Sequence, residues 1–81
     1  MKVTVKLFAI VRDRAKQGEV TLDLPADATV ATAADRLAAD FPAIATHLPR
    51  CAFALNLEYT SVSEPLKDGD ELAVIPPVSG G

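Results

Sequence analysis

The stretch MKVTVKLFAIV, residues 1–11, sets the frame for the fold because apolar residues occupy every second position. A period of two is typical of a β-strand with one buried face. The predicted buried positions are Val3, Val5, Leu7, Ala9 and Val11. The opposite face begins polar and turns apolar toward its end, in the order Lys2, Thr4, Lys6, Phe8 and Ile10. We therefore predict a first strand with one buried face and a second face of mixed character.

A second strand and a helix are predicted downstream. Residues 12–18 are charged and end on glycine, so we interpret them as the link to a strand over residues 19–24, EVTLDL. Thr29 is the expected N-cap of the helix, because its hydroxyl can accept a hydrogen bond from a free amide of the first turn. The apolar residues after it follow helical spacing. The helix should end near Asp40, since Pro42 disfavours helical geometry in the residue before it.

Strand-like residues return in the second half of the chain. Residues 51–62 predict a buried strand and a shorter one, separated by a bend at Asn56, and residues 71–75, ELAVI, predict the last strand. Two strands, a crossover helix and three further strands give one mixed sheet with one main helix packed across one face. This is the α+β arrangement known as the β-grasp, or ubiquitin-like, fold. We expect one domain over residues 1–75 and an extended, flexible C-terminal tail over residues 76–81.

The second face of the predicted sheet has no helix to cover it and should therefore be polar. Phe8, Tyr59 and Ile75 depart from that expectation, because alternation places Phe8 and Ile75 on this open face and Tyr59 can join them from the short strand. Single exposed apolar residues are common, whereas a contiguous apolar patch usually marks an interface. We expect these three residues to form a surface that binds a partner protein.

The composition argues against several classes of function. The net charge is −3 and the basic residues are scattered, whereas nucleic-acid binding requires a concentrated basic surface. A single cysteine, Cys51, and a single histidine, His47, leave no ligand cluster, so no metal site is expected. No apolar run approaches the roughly 20 residues of a membrane span, and the first residues do not resemble a signal peptide. We expect a cytoplasmic protein that binds neither nucleic acid nor membrane.

No side-chain cluster in the sequence has the pattern of an active site. The glycine-rich motifs that hold phosphates do not occur. Cys51 opens a buried-looking strand, where a free cysteine usually behaves as a small apolar residue, so we expect it to be inert. Glu64, Asp68, Asp70 and Glu71 cluster near the C-terminal end. We interpret them as a solvated loop, with the steering of a basic partner as the alternative.

The remaining chemical group is the C-terminal carboxylate of Gly81. Glycine has no β-carbon, so an end made of Gly80 and Gly81 can enter a channel too narrow for other residues. Pro76 and Pro77 restrict the approach to extended geometry, which reduces the entropy lost on binding. Fully extended, the six residues of the tail span about 20 Å. The tail is therefore predicted to carry a reactive group into another protein.

Two blocks of the sequence, KLFAIVRD at residues 6–13 and EPLKDGDELAVIPPVSGG at residues 64–81, resemble the small subunits of molybdopterin synthase. These proteins are ubiquitin-like sulfur carriers, and the resemblance spans the whole chain. It implies that the Gly81 carboxylate is adenylated by an E1-like activating enzyme that uses ATP, and is then converted to a thiocarboxylate. It implies no bound cofactor.

The resemblance also implies a division of labour between two subunits. The tail, with Pro77, Val78, Ser79 and Gly80, would enter the large subunit and give its sulfur to cyclic pyranopterin monophosphate in molybdenum cofactor biosynthesis. The substrate site would lie on the large subunit, in a heterotetramer of two small and two large subunits. The small subunit would then not be an enzyme on its own. Phe8, Tyr59 and Ile75 fall where this family has its partner-binding surface.

Three alternatives remain open from the sequence. One is the sulfur carrier of the thiamin pathway, which shares the fold and the Gly-Gly end but is usually shorter and lacks the LFAIVRD and PPV segments. Another is a ubiquitin-like modifier that is joined through Gly81 to lysines of target proteins. The last is an interaction domain in which the Gly-Gly end has no chemical role.

Overall fold

The computed structural model describes residues 1–77, which form five strands and two α-helices. The strands are β1 (Lys2–Leu7), β2 (Glu19–Asp23), β3 (Ala52–Leu55), β4 (Glu58–Thr60) and β5 (Glu71–Ile75). The helices are α1 (Ala9–Ala15) and α2 (Val30–Asp40), and two short 3₁₀ helices follow α2, at Pro42–Ile44 and Leu48–Arg50. The predicted order of strands and main helix is confirmed, and α1 is an additional element.

The five strands form one mixed sheet in the order β2-β1-β5-β3-β4. β1 pairs antiparallel with β2 and parallel with β5, while β3 pairs antiparallel with both β5 and β4. A parallel pair cannot be joined by a tight turn, so the chain between β1 and β5 is long and contains the main helix. The predicted β-grasp fold is therefore confirmed.

Helix α2 begins at the predicted N-cap because two threonines cap it reciprocally. The Thr32 amide donates to the Thr29 hydroxyl at 3.4 Å, and the Thr29 amide donates to the Thr32 hydroxyl at 3.0 Å. Two amides that would otherwise lack an intrahelical partner are thereby satisfied. The buried residues of the helix are Val30, Ala33 and Leu37. The predicted end at Asp40 is also confirmed.

The hydrophobic core lies between α2 and the face of the sheet that it covers. Alternate residues of the two central strands point into it, and each is at most 1% exposed: Val3, Val5, Leu7, Leu72 and Val74. Full burial of a side chain of this size stabilises the fold by roughly 1.5–3 kcal/mol. The alternation predicted for the first strand therefore holds as far as Leu7.

Beyond Leu7 the prediction of a continuing strand is wrong. The backbone turns at Ala9, whose φ is 50°, and α1 begins there. Ala9 was expected in the core but is exposed, while Ile10 was expected on the open face but packs against the core. Most of the segment predicted as a link, residues 12–18, is the continuation of this helix.

The error has a simple geometric cause. Leu7, Val11 and Ala15 are spaced four apart, and a spacing of four satisfies a helix as well as a strand. All three are buried, so Val11 reaches the core from a helix and not from a strand. Helix α1 then ends at Ala15, and the residue that caps it, Lys16, has a φ of 62°, a common geometry after the last turn of a helix.

The last strand ends at Ile75, and Pro76 and Pro77 follow outside any strand. The proposed tail residues Val78, Ser79, Gly80 and Gly81 lie outside the described residues, so the division into residues 1–75 and 76–81 stays a prediction. Within residues 1–77, neither helix has the length and apolar character required to cross a membrane.

The capping box provides a test of the assignment of α2. Replacing Thr29 with alanine should lower the free energy of unfolding by about 1 kcal/mol, because the Thr32 amide loses its acceptor. The measurement is urea unfolding followed by circular dichroism. Asp35→Ala, an exposed change in the same helix, is the control and should alter stability by less than about 0.5 kcal/mol. Equal stability of the Thr29 variant and the wild type would contradict a stabilising cap.

Candidate functional surface

The parallel pairing of β1 and β5 brings the C-terminal ends of both strands to the same edge of the sheet. Leu7 is paired with Val74, so the residues that follow, Phe8 and Ile75, come together on the opposite, open face. Phe8 keeps an extended backbone, with φ −130° and ψ 156°, before the chain turns into α1. The alternation therefore continues for one residue past the strand, and the Phe8 side chain remains 45% exposed.

Tyr59 reaches the same region through the antiparallel strands. Ala73 is paired with Ala54, and Ala54 is paired with Tyr59, so the three residues form a row across the open face. The two alanines are small and form a floor, whereas Tyr59 is 76% exposed and stands at the rim. An open cavity of about 250 Å³ is lined by Phe8, Ala54, Leu57, Tyr59, Glu71, Ala73 and Ile75. The structure thus brings the three predicted interface residues together around one cavity.

We refer to the apolar members of this lining as the apolar patch, namely Phe8, Ala54, Leu57, Tyr59, Ala73 and Ile75. A small-residue floor inside a rim of larger apolar side chains can accept an apolar side chain from another protein. Its chemistry suits a protein partner better than a phosphorylated small molecule, because Glu71 is the one charged residue in the lining.

Leu57 belongs to this surface but was missed in the sequence. It is 91% exposed and, like Asn56, has a left-handed backbone, with φ of 74° and 49° respectively. Leu55 is paired with Glu58, so Asn56 and Leu57 form a two-residue hairpin loop. A type I′ loop has positive φ at both positions and favours glycine at the second. Leucine there costs about 1–2 kcal/mol relative to a right-handed geometry. The sequence signal was an asparagine followed by a large apolar residue between two short strands.

The open face divides into a polar half and an apolar half. On the polar side, Lys6 Nζ lies 3.0 Å from Glu19 Oε1 and 3.9 Å from Glu71 Oε1. The hydrogen bond to Glu19, together with the negative charges of Glu19 and Glu71, raises the pKa of Lys6. Exposed ion pairs of this kind contribute little to stability. Their charged groups keep the half of the open face nearest β2 hydrated. The apolar patch is therefore confined to the other half.

Two of the clustered acids shape the loop before β5. Asp68 Oδ1 accepts a hydrogen bond from the Lys2 amide, and Asp70 Oδ2 accepts one from the Lys67 amide, both at 2.7 Å. Between them, Gly69 adopts a φ of 86°, which glycine tolerates without strain. These contacts favour the interpretation of Asp68 and Asp70 as residues that organise a solvated loop.

Cys51 lines a second, larger groove of about 460 Å³ on the helix side of the sheet. Its Sγ donates to the His47 carbonyl oxygen at 3.3 Å, and the residue is half-buried. Burial raises the pKa of the Cys51 thiol, which lowers the fraction of reactive thiolate. Among residues 1–77, no group of three or more His, Cys, Asp or Glu side chains could hold a metal ion. Cys51 therefore contributes a thiol of low reactivity to this groove, which is larger than the cavity at the apolar patch.

Comparison with known proteins decides the family. Residues 5–81 match the family model described as the ThiS family. The chain belongs to the ThiS family. A curated member named molybdopterin synthase sulfur carrier subunit, from Chlamydomonas reinhardtii, is 41% identical over the full length of both chains. Small archaeal modifier protein 1 from Haloferax volcanii is 36% identical over 94% of this chain and 97% of its own.

Solved structures of ThiS-like proteins agree with the fold. The crystal structure of the Haloferax volcanii modifier superimposes with a TM-score of 0.93 at 34% identity, over all of both chains. A protein–protein complex of subunits 1 and 2 of the molybdopterin-converting factor from Helicobacter pylori contains a chain that matches with a TM-score of 0.70 at 28% identity, again over both full lengths. The family and its ubiquitin-like fold are therefore shown for this chain.

The inert role of Cys51 can be tested directly in this ThiS-family protein. Iodoacetamide should alkylate the native thiol at neutral pH several-fold more slowly than the same thiol in urea, because burial disfavours the thiolate. The measurement is the rate of mass increase of the intact protein. Cys51→Ala and Cys51→Ser should both keep the melting temperature within a few degrees of the wild type, because the thiol makes one side-chain hydrogen bond in the described structure. Alkylation of the native thiol as fast as in urea would contradict a buried, inert thiol.

Proposed function

We propose that this protein is the sulfur-carrying small subunit of molybdopterin synthase. The observation that carries the proposal is the apolar patch at the root of the tail: Phe8 and Ile75 meet where the chain leaves the sheet. A partner that docks on this patch is in position to receive the residues that follow. The relatives named as sulfur carrier subunits of molybdopterin synthase support the same assignment.

The chemistry proposed for the tail follows from the reactivity of a carboxylate. A free carboxylate is a poor electrophile, so an E1-like enzyme first transfers AMP from ATP to the Gly81 carboxylate and releases pyrophosphate. A sulfur donor that supplies a hydrosulfide equivalent then displaces AMP and leaves a thiocarboxylate. In the synthase, this sulfur passes to cyclic pyranopterin monophosphate, and water supplies the oxygen that returns Gly81 to a carboxylate. The protein itself binds no cofactor in this scheme.

The pterin site is proposed to lie on the large subunit. The cavity at the apolar patch offers a floor of alanines and one acidic residue, Glu71, which would repel a phosphorylated substrate. Six extended residues reach about 20 Å, enough for Gly81 to enter a site built by another chain. The Helicobacter pylori complex of subunits 1 and 2 supports a partner of this kind. We propose an assembly of two small and two large subunits in the cytoplasm.

A second candidate function is protein modification. It is favoured by the similarity to small archaeal modifier protein 1, with which the chain shares its full length and fold. The same acyl-adenylate could be attacked by a lysine amine instead of a sulfur donor. Intact mass spectrometry of the protein and of its host lysate separates the two. A sulfur carrier shows one oxygen replaced by sulfur at the C-terminus, whereas a modifier shows conjugates of increasing mass.

Docking through the apolar patch can be tested with a charge placed on it. Phe8→Asp should remain folded, because the residue is 45% exposed and a carboxylate there can reach water in the free protein. It should weaken binding to the large subunit by about 3 kcal/mol, since an unpaired charge would be buried in the complex. The affinity is measured by calorimetry. Thr21→Asp adds the same charge to the polar half of the same sheet face and should bind like the wild type. Equal losses in both variants would point to net charge rather than to the patch.

The chemical role of the C-terminus can be tested by adding one alanine after Gly81. The extension keeps both glycines but converts the terminal acyl carbon into an ordinary amide, so adenylation at Gly81 cannot occur. We expect no adenylate at Gly81 and no sulfur transfer, with an unchanged melting temperature. Deleting Gly81 shifts the carboxylate by about 3.5 Å and should also abolish transfer. Wild-type activity of the extended protein, with the added residue verified by mass, would refute the proposed role of the tail.

A further inference from the structure

We propose that Asn56 and Asp70 are positioning residues for the docking surface. Their side-chain contact holds the β3–β4 hairpin in the register that places Leu57 and Tyr59 in the apolar patch. This inference rests on the proposed function, in which that patch docks on the large subunit. Neither residue lines the cavity at the patch, so the effect is exerted through the hairpin.

Asn56 makes three hydrogen bonds at the start of β5, two to Glu71 and one to Asp70, the residue before the strand. Its backbone amide donates to the Glu71 carbonyl oxygen at 2.8 Å, and its side-chain Oδ1 accepts from the Glu71 backbone amide at 3.0 Å. Its Nδ2 donates to Asp70 Oδ1 at 3.0 Å. Asp70 is held in turn, because its other oxygen accepts from the Lys67 amide at 2.7 Å. The hairpin tip is therefore fastened to the loop that precedes β5.

The hairpin depends on this attachment because its own pairing is weak. Among residues 1–77, β4 is an edge strand with three paired residues, and β3 is its one hydrogen-bonded neighbour in the sheet. The two loop residues both hold left-handed geometry, which is unfavourable for Leu57. A different loop would relieve that strain and shift the register. A shift of one residue would move Tyr59 to the other face of the sheet.

The contact between Asn56 and Asp70 joins one donor to one acceptor, so it can be tested by exchanging the two side chains. Asn56→Asp would set two carboxylates against each other while leaving an acceptor for the Glu71 amide. Asp70→Asn would set two amide groups against each other, and either amide flip leaves one donor facing another donor. In the double variant Asn56→Asp/Asp70→Asn, the amide at position 70 donates to the carboxylate at position 56. All the other partners are kept, and the net charge equals that of the wild type.

The experiment measures the affinity of the full-length variants for the molybdopterin synthase large subunit, with amide hydrogen exchange at residue 56 as a second readout. Each single variant should bind about tenfold more weakly and lose protection at the amide of residue 56. The double variant should recover affinity to within about threefold of the wild type, together with the protection. Asp68→Asn is the matched control, because it removes one charge from the same loop without touching Asn56, and it should behave like the wild type.

Each outcome separates the positioning role from its alternatives. Direct contact of Asn56 with the partner would not be rescued by a change at position 70, so a double variant as weak as the single variants would overturn the inference. Wild-type affinity in both single variants would overturn it as well. If protection at residue 56 follows the predicted pattern but the wild-type protein does not bind the large subunit, the proposed function fails. In that case the contact is a stabilising one without a docking role.

Discussion

The parallel pairing of β1 with β5 is the constraint on which the rest of the structure depends. It joins the first strand to the last in the centre of the sheet, so the covered faces of both strands are buried under α2. Because parallel strands end at the same edge, it also sets Phe8 beside Ile75 and makes the exit of the tail coincide with an exposed apolar surface. Antiparallel pairing in the same place would have separated these residues by the length of a strand.

Helix α2 covers one face of the sheet and leaves the other face open. The core therefore forms on one face, while the other can expose an apolar surface. The covered face uses fully buried aliphatic side chains, and the open face is divided between an ion-paired half around Lys6 and an apolar half with an alanine floor. In the apolar half, Leu57 and Tyr59 are mostly exposed, so these two side chains contribute little to folding. A leucine in a left-handed hairpin loop is the kind of local cost that proteins accept at functional surfaces.

The sequence predicted an element correctly where its pattern fitted one type of secondary structure. It failed where the same spacing of apolar residues fitted both a strand and a helix. The cap at Thr29 and the end of α2 at Asp40 were both correct, since side-chain chemistry specifies them locally. The end of the first strand at Leu7 was missed, because a buried residue at Val11 fits the spacing of a strand and of a helix equally. The positive φ of Ala9, where α1 begins, distinguishes the two. Phe8 was nevertheless placed on the correct face, because its backbone stays extended for one residue after the strand.

The sequence by itself determined the element order, the alternation of the central strands and the Gly-Gly end, because each of these is encoded in neighbouring residues. Only the tertiary structure decided which exposed apolar residues share a surface, since that depends on strand order and register across the whole chain. Tyr59 meets Phe8 through two strand pairings, and Leu57 joins them because Asn56 is held by Asp70 and Glu71. The contacts of Asn56 with Asp70 and Glu71 join residues 14 and 15 positions apart, and such contacts leave no periodic signal in the sequence.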